Sequence, residues 1–274
     1  MSGILFIVPT PIGNLGDISA RALEVLAEVD VIAAEDTRHT RHLLNHFGIK
    51  TRCISLHLHN ENQRSSQFVD LLQKGESIAL VSDAGTPLIS DPGYPLVNAL
   101  RHAGCQVVPL PGPCAATTAL CAAGLPTDRF CFEGFLPAKA SGRKEKLEAL
   151  KHETRTMLFY ESPRRVFDTL ESMAEIMGHD RHIVVAKELT KRFETFISGT
   201  AAEIIDWFKQ APERQKGEMV IMLSGTSEST DAGFEHALEL AIKLKPLMPP
   251  KQAAAIASET FNVKKNAVYK AMMD

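Results

Sequence analysis

Short apolar runs alternate with longer amphipathic stretches along most of the chain. Ile4 to Val8 is rich in β-branched residues, is closed by Pro9, and reads as a first strand. Ser19 then caps a helical pattern in which Ala22, Leu23, Leu26 and Ala27 share one face. Val31 to Ala34 reads as the next strand, and Thr40 to Phe47 as a helix stopped by Gly48. Ser77 to Val81 and Gln106 to Leu110 read as third and fourth strands, with a helix over Tyr94 to Ala103 between them, ended by Gly104. Strands separated by helices predict a parallel sheet with right-handed crossovers. A helix from about Cys114 to Ala123 closes a first α/β domain over residues 1–124.

Leu125 to Asp128 reads as a linker into a second α/β domain over 125–227. Its predicted strands are Phe130 to Glu133, Thr156 to Tyr160, Ile183 to Lys187, Glu194 to Gly199 and Glu218 to Leu223. Helices are predicted near Arg143 to Lys151, Arg164 to Met177 and Ala201 to Lys209. Ser224 to Gly233 is polar and reads as a second linker. The remainder, 228–274, is a helical tail. Pro249 and Pro250 start one helix, Thr260 to Asn262 forms a turn, and Val263 to Met272 forms another helix, the pattern of a helix-turn-helix.

Composition narrows the class. With 274 residues, 45% hydrophobic, the chain has ample length for two domains. Its formal net charge of −3 excludes a generally basic nucleic-acid coat protein, so any RNA contact must be local. The tail offers one such patch: Lys245, Lys251, Lys264, Lys265 and Lys270 stand against Glu259 alone between 245 and 270. A solvated packing or dimerisation unit and an RNA-contacting unit both fit that pattern. The five cysteines include no C-x-x-C pair and no zinc spacing, which points to small buried hydrophobes in a reducing cytoplasm, with no metal. No run approaches the ~20 apolar residues of a membrane helix, and the amino terminus lacks the basic start of a signal peptide.

The chemistry is expected in loops at the carboxyl ends of the strands, where parallel sheets bind ligands. Three qualify: Pro9 to Asp17, Ser82 to Gly93, and Pro111 to Ala116. Proline fixes their path and glycine allows close backbone approach. None matches a P-loop or G-x-G-x-x-G, which argues against a triphosphatase and a dinucleotide enzyme.

These loops also carry a resemblance. Thr10-Pro11-Ile12-Gly13-Asn14-Leu15, Ala34-Glu35-Asp36-Thr37-Arg38, the Ser82-to-Gly93 loop and Pro111-Gly112-Pro113 are similar to motifs of the ribosomal RNA small-subunit methyltransferase I family of the tetrapyrrole methylases. So are Glu133-Gly134-Phe135-Leu136-Pro137, Phe159-Tyr160-Glu161-Ser162-Pro163, Glu188-Leu189-Thr190-Lys191 and Gly217-Glu218. Arg164 is a departure, since members often carry His there. The resemblance implies two αβα domains of the tetrapyrrole-methylase type (class III methyltransferases) with a helix-turn-helix appended. It implies a cytoplasmic homodimer that uses S-adenosyl-L-methionine to methylate the ribose 2′-hydroxyl of a cytidine in the decoding region of 16S rRNA, free or within the small ribosomal subunit. The alternatives are a corrin or porphyrin methylase of the same fold and a non-enzymatic ribosomal RNA-binding factor. A G-x-G-P-G-D first loop, usual in the former, is absent.

The resemblance places cofactor contacts at Pro11, Asp83, Ala84, Gly85, Thr86, Ile89, Pro113, Ala115, Ala116 and Thr117. A ribose hydroxyl is a poor nucleophile, so a base would help. The candidates are Glu35, Asp36 and Glu161, ahead of His57, His59 and Glu61; Asp36 with Arg38 also fits a structural ion pair. Phosphate contacts are expected from Arg38, Arg41, Arg143, Lys144, Arg164, Arg165, Lys264 and Lys265, with Lys191 and Arg192 as further candidates and Lys139 to Lys146 as a mobile clamp.

Overall fold

The computed structural model describes residues 3–58, 60–226 and 230–273. Its first half is a five-stranded sheet of β1 (Ile4–Ile7), β2 (Val31–Ala34), β3 (Cys53–Ser55), β4 (Ile78–Val81) and β5 (Gln106–Pro109). The order is β3-β2-β4-β1-β5 and every pairing is parallel. β2 and β4 are buried along their whole length, which is why they read as unbroken apolar runs.

The helices divide between the two faces. α1 (Ala20–Glu28) and α2 (Thr37–His46) bury Ala22, Leu26 and Leu44 against Val8, Ile32 and Ala34. α3 (Glu61–Gln73) and α4 (Tyr94–His102) bury Phe68, Leu72, Leu96 and Leu100 against Leu5, Val31 and Leu80 on the other face. The chain therefore winds from β1 through β2 to β3 over one face, and returns through β4 to β5 over the other. Neighbouring β1 and β4 send their crossovers in opposite directions. The switch point of the sheet lies between them, and that is where a crevice opens beyond the strand ends.

The second sheet contains β6 (Phe130–Phe135), β7 (Thr156–Glu161), β8 (Ile183–Lys187), β9 (Thr195–Gly199) and β10 (Met219–Leu223), in the order β6-β7-β10-β8-β9. Only β6 and β7 pair in parallel; β10 runs antiparallel to both neighbours, as does β9 to β8. One face is covered by α6 (Ala140–Ala149), α7 (Val166–Met177) and α8 (Ala201–Lys209). The other face buries Leu158, Val184, Val220 and Met222 against Ala116, Ala119 and Leu120 of α5 (Ala115–Ala122). By packing, then, α5 belongs to the second sheet, although its place in the chain groups it with the first.

The tail is α9 (Thr230–Leu244), α10 (Pro250–Thr260) and α11 (Lys265–Met273), joined around a core of Ala237, Ala241, Ala253, Ala254, Ala257, Val268 and Met272. α9 already includes residues 230–233, which the composition suggested as linker; residues 227–229 lie outside the described residues. Asn262 takes a left-handed conformation (φ 52°) and the Val263 N–H donates to Ser258 O at 3.0 Å, a Schellman-type stop that sets the turn between α10 and α11.

Two other expectations change. The segment from Lys139 to Lys146 is no mobile clamp: residues 140–149 are helical, and α6 packs on α7 with Leu147 fully buried. Among the cysteines only Cys105 is buried, while Cys121 is exposed on α5.

Candidate active site

The three Pro/Gly loops meet. Thr10 and Gly85 exchange two backbone hydrogen bonds (2.9 and 3.0 Å), tying the loop after β1 to the loop after β4 across the switch point. Thr86 Oγ1 donates to Pro113 O at 2.8 Å, tying in the loop after β5. The Gly93 N–H donates to Glu61 Oε2 at 2.8 Å, so buried Glu61, a candidate base in the sequence, anchors the far end of the long loop. Gly85 (φ 82°) needs glycine's freedom, and a Cβ there would already touch Ile12 Cγ2 at 3.4 Å.

Between these loops and the edge of the second sheet lies a cavity of about 390 Å³, lined by Ile12, Glu35, Asp83, Ala84, Gly85, Thr86, Ile89, Ser90, Asp91, Cys114 and Ala115 from the first half. Phe135, Tyr160, Glu161, Ser162, Pro163, Leu189, Glu218, Met219 and Val220 line it from the second. The size is that of a small-molecule site. Strain gathers on both walls. Leu88 and Ser90 on one side and Glu188 and Thr190 on the other hold left-handed φ values between 51° and 73°, an arrangement that persists only where the surroundings enforce it.

Three carboxylates of the first half face this space. Glu35 Oε2 accepts from the Asp83 N–H (3.4 Å), and Asp83 Oδ1 accepts from the Asp36 N–H (3.1 Å), so the loops after β2 and β4 interlock. Burial pushes the Glu35 carboxyl up from the ordinary value, and nearby Asp91 adds to it. Burial likewise raises Asp91, against a hydrogen bond from Ser82. The site is thus short of positive charge, and a cationic ligand would relieve it.

Asp36 and Glu161 have other work. Asp36 caps α2 by accepting from the Arg38 N–H, and its ion pair with Arg38 (2.9 Å) holds its carboxyl down at about 2. It does not line the cavity, which corrects its candidacy as a base. Glu161 touches the cavity, but its side chain is wholly buried and both oxygens are engaged. Oε1 accepts from the Ser162 N–H (2.7 Å) and pairs with Arg165 Nε (3.3 Å); Oε2 accepts from Thr169 Oγ1 (2.6 Å). That is the position of an anchor for the 161–165 loop rather than of a base. His57 is also absent from the lining, and His59 lies outside the described residues.

Of the expected cofactor contacts, Asp83, Ala84, Gly85, Thr86, Ile89 and Ala115 line the cavity. Pro11, Pro113, Ala116 and Thr117 do not. Pro113 receives Thr86, the Ala116 N–H donates to Tyr160 Oη (3.2 Å), and Thr117 is exposed on α5, bonded to Cys114 O (3.2 Å). Among the expected phosphate contacts, Arg38, Arg41, Arg164, Lys264 and Lys265 are exposed. Lys144 is exposed but paired with Glu175 at 2.7 Å, and Lys191 is held between Glu188 (2.9 Å) and Glu218 (3.0 Å). Arg143 is a correction: it is buried, donating to Ser172 Oγ (3.0 Å) and Ala138 O (3.3 Å), where no phosphate reaches it. Arg165 is turned inward too, onto Glu161 and Leu136 O.

The residue-level choices missed the second wall: Phe135, Tyr160, Leu189 and Met219 to Val220. The signal is in the sequence, because Phe135, Tyr160 and Leu189 lie in motifs that carry the resemblance, but it is the charged Glu161 and Lys191 of those motifs whose chemistry stands out.

A family model described as tetrapyrrole (corrin/porphyrin) methylases matches residues 5–205, and one described as the RsmI C-terminal HTH domain matches 231–274. The ribosomal RNA small subunit methyltransferase I of Escherichia coli O157:H7 is 54% identical over 268 residues, covering 98% of this chain and 94% of that one. The protein of the same name from Pseudomonas aeruginosa is 49% identical over 270 residues, covering 98% and 96%. Among solved structures, the methyltransferase CobJ superposes with a TM-score of 0.60 at 20% identity, over 82% of this chain and 95% of that one. Diphthine synthase superposes at 0.59 and 15% identity, over 81% and 90%. At those identities the likeness is one of fold.

Proposed function

The chain belongs to the tetrapyrrole methylase family, within its ribosomal RNA small subunit methyltransferase I group, and on that premise we propose that it 2′-O-methylates a cytidine in the decoding region of 16S rRNA, using S-adenosylmethionine, as a cytoplasmic homodimer. The observation that carries this reading is the two-walled cavity at the switch point. Its lining fits the cofactor: small and apolar side chains (Ala84, Ala115, Ile12, Ile89, Leu189) for the adenine and methionine parts, and Glu35, Asp83 and Asp91 for its positive charges. Gly85 keeps the cradle open where a larger residue would fill it.

When bound, S-adenosylmethionine supplies a methyl group carried on positively charged sulfur. The residues of the chain do the rest. The cross-braced loops hold both reactants in fixed alignment, which is worth about 7–11 kcal/mol of barrier in favourable cases. Leu189, Met219 and Val220 exclude water, which strengthens the pull of the carboxylates on a cation. Of the three candidate bases only Glu35 keeps a cavity-facing carboxyl free of an ion pair among the described residues, and its raised proton affinity suits the acceptance of a hydroxyl proton. Exposed Arg38, Arg41, Arg164 and the lysine-bearing tail supply the local positive charge that a chain of net −3 otherwise lacks.

The test compares substrates. Small ribosomal subunits, free 16S rRNA and a set of corrins and porphyrins are incubated with radiolabelled S-adenosylmethionine, and labelled RNA is digested to nucleosides. A single 2′-O-methylcytidine is expected. Label in tetrapyrrole alone would overturn the RNA reading, and absence of saturable cofactor binding by calorimetry would overturn the enzymatic one.

A further inference from the structure

We infer that Phe135 is the platform on which the base of the target nucleoside stacks, an inference that rests on the RNA-methyltransferase reading above. The argument begins with β6. Phe132 and Phe135 are three residues apart, so regular strand alternation sends them to opposite faces. The pairing with β7 is not regular. Phe132 stands opposite Leu158, Gly134 opposite Phe159 and Phe135 opposite Tyr160, which leaves Glu133 as an extra residue. Gly134 takes φ 65° to allow it, and the glycine packs close to Ser90 of the first half, where a Cβ would lie 3.3 Å from Ser90 Oγ.

The bulge changes where Phe135 points. The regular register would turn the ring toward the face that buries Met157 and Phe159 beneath α6, α7 and α8. With the extra residue, Phe132 and Phe135 both lie on the cavity face, each edge-on to Tyr160 with centroids 4.8 and 5.6 Å apart. Phe132 is half-buried there, whereas Phe135 remains 55% exposed. A strand that gives up a buried phenylalanine for an exposed one at the rim of a cavity has re-aimed a side chain, as bulges near active sites do.

The ring is also well supported. Tyr160 is fixed by the Ala116 N–H, and burial raises its proton affinity so that it stays neutral. Phe135 thus presents one free aromatic face from a rigid three-ring cluster. Unpaired RNA bases stack on such faces, whatever their sequence. A base held at the rim leaves its own ribose, one bond away, next to the cavity that holds the methyl donor.

The experiment uses Phe135→Leu, Phe135→Ala and Phe135→Tyr in the full chain. Kinetics are measured on small subunits from a strain lacking this methylation, with S-adenosylmethionine affinity measured by calorimetry. Leu and Ala are expected to lower kcat/KM for subunits by about 5- to 150-fold, the range of one base–aromatic stack, while Tyr stays near wild type. Cofactor affinity is expected to change less than about twofold in all three. Full activity in Phe135→Leu would overturn the inference, because bulk without an aromatic face would then suffice. A loss of cofactor affinity in step with activity would also overturn it, assigning the ring to the cofactor. Wild-type activity confined to tetrapyrroles would remove the RNA reading and this inference together, whereas an active wild type with an equally active Leu variant removes this inference alone.

Discussion

Glu35 and Asp91 hold their protons more tightly in the folded chain than in the unfolded one, where the ordinary values are 4.5 and 3.8. The sign follows by linkage. The ligand-free fold is favoured by these groups at low pH and loses that contribution as pH rises through their raised range. A cation in the cavity prefers them ionised. S-adenosylmethionine affinity should therefore rise with pH across the same window, while the affinity of S-adenosylhomocysteine, whose sulfur is neutral, should rise less. Calorimetry from pH 4 to 7 checks this, and parallel curves for the two ligands would separate the carboxylates from the sulfonium. At Gly85 the constraint is steric. Gly85→Val puts a β-branched residue at φ 82° against Ile12, with about 1–2 kcal/mol of backbone strain before any clash. Cofactor affinity should fall at least about tenfold, a difference of about 1.4 kcal/mol; unchanged affinity would remove this loop from the site.

At the scale of elements, Arg165 joins the start of α7 to β7 through Glu161 and to the end of β6 through Leu136 O. Arg165→Ala leaves the buried Glu161 carboxylate without its cation. The expected loss is about 3 kcal/mol, read as a lower urea midpoint, and a loss below about 1 kcal/mol would show that Thr169 and the Ser162 N–H suffice. The strands and helices with strong apolar patterning were legible in the sequence. β3 and α3 were not: β3 has only three residues, none of them fully buried, and α3 opens on Asn60-Glu61-Asn62-Gln63, whose glutamate is buried to serve Gly93. Nor does periodicity report strand direction. β10 is apolar throughout because both its faces are covered, and that pattern is the same whether its neighbours run with it or against it. Arg143 and Arg165 are cations that the fold turns inward, onto Ser172 and Ala138 O and onto Glu161 and Leu136 O. Sequence gives the charge of an arginine but not which carbonyls surround it.

For the whole molecule, the three loops were legible as a group because each follows a strand of one parallel sheet, where ligands collect. The opposite wall was not, because it comes from a second sheet whose approach is set by α5 packing across the boundary. The tail has its own small core, so removing residues 231–274 should leave the cavity intact. Methylation of small subunits should fall about tenfold or more, as for any loss of several phosphate contacts, with cofactor affinity unchanged. Equal activity on subunits after the deletion would show that the tail does not hold substrate.

β10 is the middle strand of its sheet and yet the last of the ten to be made. It also brings Met219 and Val220 to the cavity. During synthesis the first sheet can close as soon as β5 emerges, but β7 and β8 have no partner between them until residue 223 is in place. A nascent chain that ends before β10 therefore has the loop wall of the cavity but not the wall that Met219 and Val220 complete, and the methyl donor meets a finished crevice only once that central strand is in place.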